Sequence, residues 1–254
     1  MVYHFPFGEV VNRVEQTDRR PVQVFVLGVY ASAVHARWVY QGRTVCRALA
    51  VASEPSIFWD GNPEEAQRII ERIDIPSGAG SLRPAAEMYN GPSAEVLDND
   101  ILRPLGLTRG EAWLCDLLPE SRLNRNQQKV ITEKYNPLIP TLGLNPVTVP
   151  VDNKVYCDAA RRSEILAELL ASKAEVLVTL GDYPIKQFLR AISSFDCRDL
   201  NEYTGKYGYG KPTPIRINGH TINVLPLAHP RQIGRLGESS RSWYVEHRSW
   251  AGQG

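Results

Sequence analysis

Short apolar runs recur along the chain, and their length and composition predict buried β-strands. Each run is of strand length and rich in branched apolar residues. The runs span residues 22–28, 112–118, 176–181 and 224–228. A weaker alternation over residues 43–51 marks a further extended segment. An Asn-Gly pair within residues 215–224 predicts a hairpin that leads into the last run.

Amphipathic segments lie between these runs and predict helices. The clearest has Asn62 as its N-cap and Pro63 in its first turn, because both residue types are favoured at those positions. Ile69, Ile70 and Ile73 form its apolar face. Further helices are expected over residues 161–172, 184–192 and 240–250.

Proline, glycine, serine and asparagine are concentrated in residues 76–97 and 119–157, which are expected to be loops. A short helical turn is expected over residues 99–103, capped by Asp98 and ended by Pro104. The order strand, helix, strand, helix predicts an α/β fold with a mostly parallel sheet and helices on both faces. The length of 254 residues fits one domain that spans residues 1–254.

Composition narrows the class of protein. The formal net charge is +1, so the field of the whole molecule gives no argument for nucleic acid. No apolar run has transmembrane length and no secretory leader pattern is present, so we expect a cytoplasmic protein with no membrane association. The cysteines, which form no C-x-x-C pair, are expected to be buried reduced thiols, and no metal or cofactor is expected. They are Cys46, Cys115, Cys157 and Cys197.

Several predicted strands end in a glycine or a polar residue. In a parallel sheet such ends meet at one edge, where ligands bind. They are Gly28 with the following VYASA, Cys115 with Asp116, Gly181 with Asp182, and Ala228 with His229 and Pro230. Together, and in this order, they resemble the motifs of the uracil-DNA glycosylase superfamily: a glycine-led loop after the first strand, a base-reading polar residue, a strand that ends in glycine, and a final His-Pro loop followed by a C-terminal helix.

The resemblance covers roughly residues 20–250 and implies a three-layer α/β/α sandwich around a short, mostly parallel sheet. It also implies a monofunctional DNA glycosylase, a hydrolase that flips a base and cleaves its N-glycosidic bond to leave an abasic site. DNA is the implied partner, with no obligate protein partner. His229 matches the histidine that donates to the departing base, while Asp116 and Tyr30 complete the implied catalytic set.

The resemblance further implies a base pocket and a DNA-contacting surface. Ser32 and the amides after Gly28 are placed to hold a phosphate, and Ile233, with Leu236 as its rival, falls where the family has an apolar wedge. The implied pocket residues are Gly28, Val29, Ala31 and Asp116, and the implied DNA contacts are Ser32, Gly181, Arg231, Gln232, Ile233 and Arg235. Residues 205–211, with glycines, tyrosines and lysines, fit either a DNA strand or a mobile loop.

Two positions depart from the family pattern. Residues 29–31 contain no carboxylate to position the attacking water, so His35, Glu54 or Asp116 are candidates for that role. Asp116 stands where asparagine is usual. An ionised carboxyl only accepts, so it repels the O4 of uracil and accepts from the exocyclic amine of cytosine. A carboxyl kept protonated by burial accepts from that amine with one oxygen and donates to ring N3 with the other, which makes cytosine a better leaving group. We therefore expect a modified cytosine-type base as substrate, with phage DNA and antiviral defence as one setting.

Other functions stay open on the sequence. A uracil-DNA glycosylase of base-excision repair has the same motifs, and a catalytically inactive DNA-binding protein on the same fold explains the missing carboxylate. Asp116 also fits a structural role as a strand-end acid paired with an arginine. A nucleotide-binding enzyme of Rossmann type lacks support, because residues 28–35 contain no G-x-G-x-x-G.

Overall fold

A computed structural model describes residues 2–234 and 241–252, and the chain in it divides into two compact units. Unit 1 comprises Met1–Val14, Ala31–Pro92 and Pro119–Val155. Unit 2 comprises Glu15–Tyr30, Ser93–Leu118 and Tyr156–Gly254. Each unit is therefore built from segments that are far apart in sequence.

Strands and helices are numbered in the order in which the chain forms them. The strands are β1 (Val24–Tyr30), β2 (Ala33–Tyr40), β3 (Arg43–Ser53), β4 (Ser81–Pro84), β5 (Ala112–Leu118), β6 (Val176–Leu180), β7 (Thr213–Ile217) and β8 (His220–Leu227). The α-helices are α1 (Pro63–Glu71), α2 (Pro92–Val96), α3 (Arg125–Val130), α4 (Ile139–Leu142), α5 (Ala159–Ser172), α6 (Asp182–Pro184), α7 (Arg190–Ile192), α8 (Leu200–Tyr207), α9 (Pro230–Ile233) and α10 (Arg241–Ala251). Turns of π-helix at Leu97–Leu102, Ile131–Tyr135 and Ile185–Leu189 continue α2, α3 and α6.

Unit 2 contains a mixed five-stranded sheet in the order β5-β1-β6-β8-β7. The first four strands in this order are parallel, and β7 pairs with β8 in the antiparallel direction. β1 and β5 are buried nearly throughout, as expected for parallel strands with both faces covered. The predicted α/β class with a mostly parallel sheet is confirmed, and the sheet with its helices is compatible with three layers.

The hairpin formed by β7 and β8 follows the sequence prediction. Its two central residues, Asn218 and Gly219, both have positive φ angles, of 47° and 82°. This backbone is the tight turn that Asn-Gly favours, because it matches the twist of the two strands.

Unit 1 contains a three-stranded antiparallel sheet in the order β3-β2-β4, which the sequence analysis did not predict as a sheet. Trp38 of β2 is fully buried against Phe7 and Tyr135, with ring centroids 5.5 and 5.7 Å away. Helix α1 begins as predicted, since Asn62 accepts a hydrogen bond from the backbone N–H of Glu65.

The two predicted loops were wrong over much of their length. Residues 76–97 contain β4 and α2, and residues 125–142 form a nearly continuous helical segment within the predicted loop 119–157. Pro137 and Pro140 lie in the first turns of new helical pieces, where proline is tolerated because no N–H partner is needed. Helix α8 was also missed.

The predicted turn at residues 99–103 is part of a longer helical segment. Asp98 does not cap a helix; it lies inside the π-helical turn and pairs with Arg109 at 2.6 Å. Pro104 likewise does not end the segment, because it lies inside the 3-10 turn Arg103–Leu105, which ends at Gly106.

The cysteines are all free thiols and all buried, as predicted. Among the described residues, no helix combines the length and the apolar composition that crossing a membrane requires.

Candidate active site

The strand-end residues singled out in the sequence lie on four neighbouring parallel strands of unit 2. Gly28 pairs with Asp116 across β1 and β5, and the N–H of Gly181 donates to the carbonyl of Leu227 across β6 and β8. At a spacing of about 4.8 Å between neighbours, β5 and β8 are about 14 Å apart. One edge of the sheet thus brings together Asp116, Gly28, Gly181 and His229, in this order.

Asp116 is buried at this edge, with 4 % of its surface exposed. Burial raises the pKa of its carboxyl from 3.8 to about 7, and the charge of Arg161 and the backbone N–H of Val29 offset this only in part. The carboxyl is therefore substantially protonated near neutral pH. A protonated carboxyl both donates and accepts hydrogen bonds, whereas an ionised one only accepts.

Arg161 of α5 binds the end of β5 from one side. Its guanidinium donates to the backbone carbonyls of Asp116 (2.8 Å) and Leu117 (3.3 Å), and lies 3.2 Å from the Cys115 thiol. The carboxylates of Glu168 and Glu164 lie 3.2 and 3.0 Å from Nη1 of Arg161 and balance its charge. Because side chains alternate along a strand and that of Cys115 meets Arg161, the carboxyl of Asp116 points away from α5.

His229 follows β8 and caps the short helix α9. Its Nδ1 accepts a hydrogen bond from the backbone N–H of Arg231 (3.1 Å), and its own backbone N–H donates to Gln232 Oε1 (3.0 Å). Burial lowers the pKa of the imidazole to about 4, with a further contribution from Arg231. The ring is therefore neutral at pH 7, and because Nδ1 accepts, the proton is on Nε2.

Gly181 allows β6 and the His229 loop to approach each other closely. Its φ angle is +78°, and a Cβ at this position would lie 3.1 Å from the Cβ of His229. A side chain here would strain the backbone and push against His229. The structure thus gives Gly181 a packing role beside His229.

A second histidine stabilises the backbone just before His229. The N–H of Ala228 donates to Tyr209 Oη (3.0 Å), which lies 2.6 Å from His247 Nδ1. His247 Nε2 lies 2.6 Å from the carbonyl oxygen of Asp100. Because a carbonyl can only accept, Nε2 carries the proton and Nδ1 accepts from the tyrosine hydroxyl. This chain connects α10 to the loop that carries His229.

Aromatic rings flank the end of β1. Tyr30 stacks on Tyr156, with ring centroids 5.5 Å apart and an angle of 29° between the planes. Tyr156 in turn meets the edge of Tyr183, with centroids 4.8 Å apart. Tyr156 and Tyr183 were not predicted as site residues. Tyr156 lies in the segment predicted to be a loop, and an isolated tyrosine gives no sign of what it contacts.

Two residues of the predicted glycine-led loop after the first strand, Ala31 and Ser32, belong to unit 1. Ala31 is buried, and Ser32 is exposed. The N–H of Ser32 donates to Glu54 Oε1 (2.8 Å), and the N–H of Trp59 donates to Glu54 Oε2 (3.4 Å). Both carboxylate oxygens of Glu54 thus accept from backbone amides, which gives this buried acid a structural role.

His35 is also in unit 1 and is buried. Its Nε2 lies 2.9 Å from Gln127 Nε2, and burial lowers the pKa of the imidazole to about 4. Of the three candidates for water activation, His35 and Glu54 belong to unit 1, and Asp116, whose carboxyl would have to be ionised for that role, lies beside the other strand-end residues of unit 2.

The predicted DNA contacts after His229 differ in exposure. Arg231 is exposed, whereas Gln232 is half-buried and bonded to His229. Ile233 is 3 % exposed, so it packs inside the protein, whereas a wedge has to project from the surface. Arg235 and Leu236 lie outside the described residues.

Comparisons with known proteins provide no relative. No model of a known protein family matches the chain, and a search of curated proteins finds no match either. Among the described residues, no group of three His, Cys, Asp or Glu side chains is arranged to hold a metal ion. The function therefore has to be inferred from the geometry of the site.

Proposed function

We propose that the protein is a DNA glycosylase that flips a base out of DNA and hydrolyses its N-glycosidic bond, leaving an abasic site. The proposal depends on one observation: a carboxyl with a pKa of about 7 and a neutral imidazole with its proton on Nε2 lie on the same edge of one parallel sheet. These groups have the hydrogen-bonding properties that the departure of a cytosine-type base requires.

His229 is the proposed donor to the leaving group. Cleavage of the glycosidic bond leaves negative charge on the base, and a fixed donor at its carbonyl oxygen stabilises the transition state. The Arg231 N–H holds the ring in the tautomer whose Nε2 donates. By analogy with oxyanion holes, one such donor contributes about 3–4 kcal/mol.

Asp116 is the proposed base-reading residue. One oxygen of its neutral carboxyl accepts from the exocyclic amine of cytosine, and the O–H donates to ring N3, which makes the base a better leaving group. Uracil has an acceptor O4 and an N3–H donor at these positions, so a neutral carboxyl pairs with it only when the proton is on its other oxygen, and the ionised carboxyl repels O4. The Val29 N–H donates to this carboxyl, and the Arg161 guanidinium donates to the backbone carbonyl of Asp116 and so fixes the strand end.

Tyr30 is the proposed stacking face for the flipped base. Its ring is held against Tyr156, which is in turn held by Tyr183, so a planar surface is ordered before the base arrives. Because removal of ordinary cytosine would damage the cell's own DNA, we propose a substituted cytosine, such as phage DNA carries, and a role in defence.

The test uses duplexes with a single 2′-deoxyuridine, deoxycytidine or 5-substituted deoxycytidine, followed by alkali cleavage at any abasic site. We expect product from the substituted cytosine. His229→Ala should lower the single-turnover rate by about 10²–10³-fold. His220→Ala, an exposed histidine on β8, is the matched control and should leave the rate unchanged.

Other results would point elsewhere. Preference for uracil would remove the base-reading role of Asp116 and favour a repair enzyme. Tight binding of duplexes with no abasic product from any of them would favour an inactive DNA-binding protein. Equal rates for wild type and His229→Ala would exclude His229 from the mechanism.

A further inference from the structure

The outward face of the antiparallel sheet in unit 1 carries a row of arginines. Arg37 on β2 is directly paired with Arg83 on β4. Leu49 of β3 pairs with Ala36, and the next paired residue of β3 is Cys46, which lies opposite Trp38. Arg47 lies between these two pairs, in a β-bulge opposite Arg37. All three side chains are exposed. We call Arg37, Arg47 and Arg83 the arginine row.

The row faces away from the core of unit 1. Trp38 and Leu82, the neighbours of Arg37 and Arg83 along their strands, point to the buried side. Cys46 and Leu49, which flank the bulge, are also buried. Since side chains alternate along a strand, the three guanidinium groups extend from the opposite side into solvent.

No acid balances this charge within the sheet. β2, β3 and β4 contain four arginines and no Asp or Glu, although the whole chain has 29 basic and 28 acidic side chains. Among the described residues, no carboxylate forms an ion pair with a member of the arginine row. Like charges directly opposite each other on a sheet are destabilising, so this arrangement is costly in the free protein.

We propose that the arginine row is a binding surface for the phosphate backbone of duplex DNA. Guanidinium groups match phosphate oxygens in a two-pronged geometry, and a polyanion removes the repulsion between Arg37 and its neighbours. The choice of DNA as partner rests on the proposed function. Small residues such as Val39 and Ser81 share the face, whereas binding of single strands uses aromatic rings between the cations.

The experiment measures binding to an unmodified duplex by fluorescence anisotropy between about 50 and 200 mM KCl. Wild type is compared with the triple variant Arg37→Gln, Arg47→Gln, Arg83→Gln. Each lost phosphate contact lowers the slope of log K against log salt by about 1, so we expect the slope to fall by about 3. The matched control, Arg68→Gln, Arg72→Gln, Lys134→Gln, removes the same charge from exposed positions in the same unit.

Thermal melting of both triple variants checks the fold, and since the row is exposed, the melting temperature of the row variant should not fall. The proposal is overturned if the salt slope of the row variant equals that of wild type, or if the control variant loses as much slope as the row variant. It is also overturned if the row variant loses affinity for single-stranded DNA only. If the row variant loses duplex binding while wild type removes no base, the surface stands and the proposed glycosylase function fails. If wild type removes a base and the row variant keeps its slope, the surface fails and the function stands.

Discussion

The protonation state of Asp116 decides which hydrogen bonds this residue can make to a base. Burial at the end of β5 raises the pKa of its carboxyl to about 7, so both forms are populated in the physiological range. In the proposed function the neutral form pairs with cytosine, because the ionised form has no donor for ring N3. The chemistry proposed for this site should therefore depend on pH above neutrality.

The first prediction concerns that dependence. With a substituted-cytosine duplex, the single-turnover rate should be constant from pH 5.5 to about 6.5 and then fall about tenfold per pH unit above pH 7, because only the protonated carboxyl is active. Asp116→Asn should show no such fall. A wild-type rate that rises through pH 7 would mean that the ionised form is the active one.

The second prediction concerns the choice of base. Asp116→Asn places an amide at the end of β5, and its oxygen and NH₂ group match the N3–H and O4 of uracil. The ratio of uracil to cytosine excision should rise about tenfold or more, since a good two-point contact discriminates by about 1–3 kcal/mol. The control is Asp74→Asn, at an exposed position, and an unchanged ratio in Asp116→Asn would show that position 116 does not read the base.

The sequence predicted that Asp116 and His229 lie at one edge of the sheet, and it missed the residues that contact them for a physical reason. Asp116 and His229 end apolar strands, and parallel strands bring their ends to one edge, so a local pattern was enough. Arg161 reaches the carbonyl of Asp116 from 45 residues away, and nothing local in an amphipathic helix marks which charged side chain will turn inward. Tyr209 and His247 meet across 38 residues in the same way.

At the level of elements, the C-terminal helix is connected to the His229 loop by specific hydrogen bonds. Tyr209 accepts from the N–H of Ala228 and donates to His247, which is 1 % exposed on α10. A buried amide that loses its acceptor costs about 1–3 kcal/mol. This contact should therefore matter both to stability and to the position of the next residue, His229.

The third prediction tests this connection. Tyr209→Phe keeps the ring and removes the hydroxyl, so it should lower the free energy of unfolding by about 1–3 kcal/mol in urea titrations. Tyr244→Phe, on the same helix as His247 but exposed, should change it by less than about 0.5 kcal/mol. Equal stability of Tyr209→Phe and wild type would show that Ala228 and His247 find other partners.

The elements that the sequence predicted are those with a strong local pattern. β1, β5, β6 and the second half of β8 are buried on both faces, and α1 has a capping residue and a proline in its first turn. β2 was missed because its outward face carries Arg37 and its inward face packs against Phe7 and Tyr135, which are far away in sequence. The helical segment at residues 125–142 was missed because proline is typical of loops, although Pro137 and Pro140 each lie in the first turn of a new helical piece.

For the whole molecule, pH acts in one direction through the buried histidines, His35 in unit 1 and His229 in unit 2, and in the opposite direction through the carboxyl of Asp116. In unit 1, the folded pKa of His35 is about 4, below the ordinary 6.5, so its contribution to stability is present above pH 6.5 and is lost as pH falls toward 4. In unit 2, the folded pKa of Asp116 is raised from 3.8 to about 7, so its contribution is present below pH 3.8 and is lost as pH rises through 7.

The fourth prediction separates these two effects by comparing unfolding free energies at pH 7 and pH 5. Protonation of His35 in the unfolded chain costs about 2 kcal/mol between these values, so His35→Gln should reduce the loss of stability on acidification by about that amount. Asp116→Asn should act in the opposite direction, because it removes a group that stabilises the protein more at pH 5 than at pH 7. Because each comparison is a difference between two pH values, a variant that is less stable at both still reports on its own group. If His35→Gln lost as much unfolding free energy between pH 7 and pH 5 as the wild type does, His35 would titrate in the folded protein as it does in the unfolded chain.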